Sequence, residues 1–203
     1  MIKNILILGP IARNQKIISF IEKKKYFTHF TNSKISESFI LKNKIDMIIT
    51  SGYPFLVKRN IISSVKIAIN LHISYLPFGR GIMPNLWSFI DNLPPGITIH
   101  KLDKNFDTGK IILQKKIKFK LLEKQTLKST HDFLILSLEK FFLNNFDKII
   151  KKKFKPFNQN KFYNYNLYRN RRESEKILKN FKKKWNTKIL TVIKHGKKNK
   201  SLS

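Results

Sequence analysis

Two short apolar runs, each stopped by a glycine-bearing turn, constrain this chain more than any other feature. Residues 2–8 form the first, ended by Gly9-Pro10, and Ile45–Thr50 form the second, ended by Ser51-Gly52. A run that stays apolar instead of alternating predicts a strand buried on both faces, which is how parallel strands sit between layers of helices. The intervening segment supports that layering. Ile17, Ile18, Phe20 and Ile21 recur at helical spacing, and a strand-like piece follows at Tyr26–Phe30. Ser33 then reads as an N-cap, with Glu37 in the first turns of a helix reaching about Lys44. A short helix is expected near 58–63, and Lys66–Ile73 alternates as a strand before a loop rich in Pro and Gly. Strand and helix alternating in this way predict an α/β fold, a Rossmann-like doubly wound and mostly parallel sheet with right-handed crossovers.

The second half changes character. Ile97–Leu102 and Ile111–Phe119 alternate as strands, and Leu127–Ile150 reads as a long amphipathic helix, apolar at Leu127, Leu134, Leu138, Phe141, Phe142 and Phe146. Beyond Lys151 the chain turns polar, aromatic and basic, with one more helical piece near 173–185. These features divide the chain into a main domain, residues 1–155, and a basic, aromatic-rich extension, residues 156–203, that ends as a short helical tail. The terminal KKNKSLS is expected to fray. The aromatic residues of the last third would suit a homodimer interface.

Composition narrows the function classes. At 203 residues and 41% apolar content the chain can bury one full core. The absence of cysteine excludes disulfides, thiolate metal sites and cysteine nucleophiles. No stretch approaches the roughly 20 apolar residues of a membrane span, and the opening run is too short for a secretory core. A soluble, cytoplasmic protein without a membrane partner is expected. The net charge of +30 invites a nucleic-acid reading. Only six of the 42 basic residues are Arg, however, and Ile, Asn and Phe are abundant, the skew expected of an AT-rich coding sequence. Charge of this kind speaks to association and solubility rather than to chemistry.

The first loop, GPIARN, carries one glycine where a dinucleotide fingerprint needs three. No HExxH, CxxC or P-loop occurs, so no metal is expected. The informative segments are INLHISYLPFGRGIMPNLW, residues 69–87, and PGITIHKLDKNFDTGKII, residues 95–112. Asn70 and His72, two apart at a strand end, share a face, and ligands of open parallel sheets collect beyond the strands' carboxyl ends. An amide donor and an imidazole aimed into one crevice can polarise a carbonyl and move a proton. Asp107, in a loop between strands, could orient the imidazole.

Taken together, Asn70, His72, Ser74, Leu76-Pro77, Arg80-Gly81, Pro84, Trp87, Gly96, Thr98, His100 and Asp107-Thr108-Gly109 resemble the catalytic domain of a formyltransferase family. That family includes the methionyl-tRNA formyltransferases and the sugar-nucleotide N-formyltransferases. The resemblance spans roughly residues 1–150. It implies transfer of a formyl group from 10-formyltetrahydrofolate to a primary amine without a metal. It gives Asn70 the formyl oxygen and His72 the proton transfer. Asp107 would hold His72 and a water, while His100 and Trp87 are expected to be structural. Gly52, Tyr53, Phe55, Leu56 and Val57, with Thr108, would line the folate site, and Ser74, Arg80 and Gly81 the acceptor site. The glycinamide ribonucleotide branch fits less well, since Asp-Thr-Gly stands where Asp-Gly-Gly is expected. Some 50 residues follow the domain, fewer than the C-terminal barrel of methionyl-tRNA formyltransferases needs. An amino sugar on a nucleotide is therefore the expected acceptor. A methionyl-tRNA enzyme lacking its C-terminal domain, or an inactive basic RNA-binding module, are the alternatives.

Overall fold

In the computed structural model, which describes residues 1–159 and 168–200, the chain alternates strands and helices as the apolar runs require. β1 (Asn4–Leu8), α1 (Ile11–Lys23), β2 (Phe27–Thr31), α2 (Glu37–Lys42), β3 (Met47–Thr50), α3 (Arg59–Ser63) and β4 (Ile67–His72) come first. β5 (Arg80–Gly81), α4 (Pro84–Ile90), β6 (Gly96–Lys101), β7 (Ile111–Lys116) and the long α5 (Leu127–Ile150) follow. β8 (Tyr168–Arg169), α6 (Arg171–Lys179) and α7 (Ile189–Lys200) close the chain. No helix among the described residues is long and apolar enough to cross a membrane. Part of the aromatic tail, residues 160–167, and the last three residues of the segment expected to fray lie outside the described residues.

The six-stranded sheet runs β2-β1-β3-β4-β6-β7, with a separate two-stranded ladder of β5 and β8. The pairs β1–β2, β1–β3 and β3–β4 are parallel. β6 and β7 form a hairpin, so the sheet is mixed but mostly parallel. From β1 the chain first steps to one side, to β2, and then to the other, to β3. The strand order therefore reverses between β1 and β3, where ligands of doubly wound sheets bind.

The chain divides into two compact units. One comprises Met1–His72, Ile99–Leu113 and Leu138–Asn158. Its core includes Leu6, Leu8, Ile40, Ile45, Ile48, Val57 and Ile61. The C-terminal half of α5 supplies Phe142 and Phe146, and Phe146 meets Phe20 edge-on at 5.5 Å between ring centroids. Asp46 anchors this unit at the start of the strands. Its carboxylate accepts from the backbone N–H groups of Lys3 (2.8 Å) and Asn4 (3.1 Å) and pairs with Lys66. Burial pushes this carboxyl up, but the hydrogen bonds from Lys66, Lys3 and Asn4 and the Lys66 charge outweigh it and hold the pKa below its ordinary value.

The other unit comprises Ile73–Thr98, Gln114–Ser137 and the residues from Gln159 onward. Its core joins Leu86, Trp87, Phe89 and Ile90 of α4 to Leu127, Leu178, Phe181, Ile189 and Val192. The C-terminal helices are thus packed elements. A methyl at Gly196 of α7 would stand 2.2 Å from the Ile90 carbonyl oxygen.

Local expectations fail at four places, one of them α7, a second helix after Lys151 that runs to Lys200 into the segment expected to fray. The cap of α2 is Ser36, whose Oγ accepts from the Phe39 N–H at 3.2 Å, while Ser33 gives its carbonyl to the Tyr53 hydroxyl. The turn that precedes a helix decides which of two nearby serines caps it. The Pro- and Gly-rich loop contains α4, which starts on Pro84, a residue whose fixed φ suits the first helical turn. The helix expected near 173–185 stops at Lys179, and a 3-10 turn at Lys184–Asn186 follows, entered at a left-handed Lys184.

Two outcomes follow. Asp46→Asn removes a charged acceptor and should cost about 1–3 kcal/mol at pH 7 by urea denaturation. The native pKa is the depressed one, so this stabilisation is complete above the unfolded value of about 4 and drains away as pH falls through the native value. The gap between variant and wild type should therefore close in acid. Gly109→Ala should lower stability by about 2 kcal/mol or more in thermal melting, because its methyl would stand 1.8 Å from the Lys101 carbonyl oxygen.

Candidate active site

The strand period places the polar residues. β3 and β4 pair in a register that sets Ile48 beside Ala68 and Thr50 beside Asn70. Ile48 and Ala68 belong to the apolar core of the first unit. Two residues further on, the same face reaches the strand ends and turns polar, with Thr50, Asn70 and then His72. β6 brings His100 to the same cluster, and the turn after β6 brings Asp107, held at φ 56, a left-handed conformation that Asp tolerates better than most residues.

Asn70 is held at both ends of its amide. Its Oδ1 accepts from the Thr50 hydroxyl at 2.8 Å. Its Nδ2 donates to Asp107 Oδ1 at 3.0 Å and lies 3.1 Å from His100 Nε2. His100 Nδ1 stands 2.8 Å from the Lys101 carbonyl oxygen. A carbonyl only accepts, so Nδ1 carries the proton and Nε2 presents a lone pair to the amide. Asp107 Oδ1 is 3.6 Å from His72 Nδ1 and 3.4 Å from His100 Nε2. His72, His100 and Asp107 are 7%, 1% and 8% exposed, so these groups act on one another with little solvent between them. The three residues expected to carry the chemistry do converge. The carboxylate, however, is closer to the amide of Asn70 than to the imidazole it was expected to orient.

Two further residues stand in the cluster. His100 was expected to be structural, and Thr50 closes a run of apolar residues. The signal for His100 lay in its alternation with Thr98 along β6, whereas Thr50 becomes visible only when the register of β3 on β4 is known.

The loop after β3 approaches the loop after β1. A methyl on Gly9, which has φ 136, would stand 2.1 Å from the Ser51 carbonyl oxygen, and buried Asn14 donates to that same oxygen at 3.2 Å. Gly52, at φ 72, lies under the Arg13 guanidinium. The Nε of Arg13 is buried without a hydrogen-bond partner among the described residues, and burial lowers the pKa of the guanidinium. Tyr53 and Phe55 meet edge-on at 5.4 Å, Leu56 is 45% exposed, and Val57 is buried in the core. A ligand at this loop can therefore meet the half-buried rings and Leu56, but not the buried Val57 side chain. The Thr108 hydroxyl faces its own loop, 3.2 Å from the Asn105 carbonyl oxygen.

Ser74, Arg80 and Gly81 belong to the other unit. Ser74 is buried, and its Oγ has no partner among the described residues. Arg80 donates to Gln159 Oε1 at 2.6 Å. Gly81 pairs with Arg169, and a methyl there would stand 2.3 Å from the Arg169 carbonyl oxygen. Thr98 donates to the Ser74 carbonyl at 2.7 Å, and Trp87 donates to Ser174 Oγ at 2.9 Å beneath the Arg169 guanidinium. Trp87, Thr98 and Gly81 thus have packing duties of their own.

Known proteins resemble the chain that carries this cluster. The crystal structure of the formyltransferase PseJ from Anoxybacillus kamchatkensis, in complex with UDP-4,6-dideoxy-4-formamido-L-AltNAc and tetrahydrofolate, superposes with a TM-score of 0.86 at 33% identity, covering 95% of this chain and 99% of that one. The GDP-perosamine N-formyltransferase of Brucella melitensis is 39% identical over 74 residues, 36% of this chain and 29% of that protein. The methionyl-tRNA formyltransferase of Thermotoga maritima is 31% identical over 125 residues, 57% of this chain and 40% of that protein. The matches to these two curated relatives thus span less than half of their length. Residues 9–134 match the Formyl transferase model, a stretch holding Asn70, His72, His100 and Asp107. On that match, the chain belongs to the formyl transferase family.

Proposed function

We propose that this protein transfers a formyl group from 10-formyltetrahydrofolate to the primary amine of a nucleotide-linked amino sugar. The observation that carries the reading is the Asn70 amide, held with its nitrogen end beside His100 and Asp107 at the end of β4. The similarity to a sugar-nucleotide formyltransferase crystallised with tetrahydrofolate and covered over 99% of its length supports the substrate class. The half-buried rings of Tyr53 and Phe55 and the exposed Leu56, in the loop beyond β3, suit the flat ring of a folate.

In this reading Asn70 Nδ2 keeps one hydrogen on Asp107 and turns the other from His100 Nε2 to the formyl oxygen as that oxygen gains negative charge. The amine lone pair forms the new C–N bond, the bond to N10 of the folate breaks, and one proton passes from the amine to N10. His72 carries that proton, and the Asp107 carboxylate, 3.6 Å from its Nδ1, favours the charged imidazole while it does so. Positioning and oxyanion stabilisation supply the rate, and no covalent enzyme intermediate is needed.

The basic charge favours methionyl-tRNA as a second acceptor class. Incubation with 10-formyltetrahydrofolate and separate pools of amino-sugar nucleotides and methionyl-tRNA, following release of tetrahydrofolate, decides between them. Turnover with a sugar-nucleotide pool supports the proposal. Turnover with tRNA alone, falling steeply with salt, selects the second reading. Asn70→Ala should lower kcat by about 100- to 1,000-fold, the usual loss for one oxyanion donor, with the fold intact by circular dichroism. Turnover within a few-fold of wild type would remove Asn70 from this role.

A further inference from the structure

The cluster contains two polar groups that the reaction does not use directly, His100 and Thr50, and the position of Thr50 asks for a purpose. Thr50 ends β3 after Met47, Ile48 and Ile49, all fully buried, and is itself 4% exposed. Valine would fill the same volume in the same β-branched shape without burying a hydroxyl, which is costly unless the hydroxyl finds a partner. Two acceptors are in reach, the Ile69 carbonyl at 3.4 Å and Asn70 Oδ1 at 2.8 Å. A single hydroxyl proton goes to the closer one.

We infer that Thr50 is a positioning residue, whose hydroxyl fixes which end of the Asn70 amide faces the reacting carbonyl. The two ends of a primary amide are nearly equal in size, so packing cannot tell them apart, and hydrogen-bond partners must. Thr50 gives a proton and therefore selects the oxygen end. Asp107, 3.0 Å from Nδ2, takes one and selects the nitrogen end. Without Thr50 the oxygen end loses its donor, and the amide swings in a wider arc about Nδ2. The donor then meets the formyl oxygen in fewer of its conformations, which lowers the rate of the chemical step and leaves substrate binding alone. This inference rests on Asn70 acting as proposed above.

The test is a set of steady-state measurements on the full chain with 10-formyltetrahydrofolate and the acceptor found active. Thr50→Val should lower kcat by about 3- to 10-fold, the worth of one neutral hydrogen bond, with KM for both substrates within about twofold of wild type, since uniform binding is untouched. Thr50→Ser, which keeps the hydroxyl, should recover most of the loss, and Thr50→Ala should resemble Thr50→Val. Thermal melting accompanies each variant, so that if Val folds poorly, the Ser and Ala pair still decides. In an Asn70→Ala background, replacing Thr50 should change single-turnover rates by less than about twofold, because two residues acting through one group are not additive.

A wild-type kcat for Thr50→Val, an equal loss in Thr50→Ser, or a full further loss in the Asn70→Ala background would each overturn the inference. Failure of the underlying reading looks different. There Asn70→Ala itself would retain turnover, whatever Thr50 does.

Discussion

The parallel pairing of β3 on β4, with Thr50 set beside Asn70, is the constraint on which the rest of the site depends. Side chains on a strand alternate between faces, so a slip of one residue would turn the amide and His72 to the opposite face and send Ile69 and Leu71 to theirs. The register is fixed away from the site. At the other end of the strands Asp46 binds the backbone of Lys3 and Asn4 and the side chain of Lys66, tying β1, β3 and β4 together where they begin. Between those ends the strands are apolar and fully packed, which leaves no cheap alternative pairing.

A buried polar cluster of this kind is tolerable because its members satisfy one another. The Asn70 amide is the centre of the arrangement. It is neutral, so it can stand between a carboxylate and an imidazole lone pair and give a hydrogen to each, which neither could do for the other. The same arrangement fixes the amide at the end of the sheet, in the part of an α/β fold where the backbone of neighbouring loops is free to meet a ligand. The close approach of Gly9 to Ser51, with Asn14 bonded across it, holds two of those loops in a fixed relation.

Several features were legible in the chain because they depend on local pattern. Apolar runs ending in glycine gave the parallel strands within one or two residues, and the 3.6-residue period of Leu127–Ile150 matched α5 at both ends. Other features depend on a choice between near-equal local options. Ser33 and Ser36 are both good caps, and only the turn before α2 selects Ser36. Pro84 and its neighbours read as a loop because Pro and Gly dominate the stretch, yet α4 forms there and is buried along its whole length, with Leu86, Trp87, Phe89 and Ile90 in the second core. Long-range packing, not propensity, stabilises so short a helix.

The sequence by itself determined that this chain makes a layered α/β fold, and it singled out Asn70, His72 and Asp107 as one group, because both readings rest on periodicity and on a joint motif. Tertiary structure alone decided how the three are connected. It placed Asp107 nearer to the amide than to the imidazole, drew His100 in from β6, and set the Thr50 hydroxyl on Asn70. The physical reason is that a hydrogen bond depends on distances of a few tenths of an ångström between residues 20 to 37 positions apart. Only the register of neighbouring strands and the left-handed turn at Asp107 set those distances.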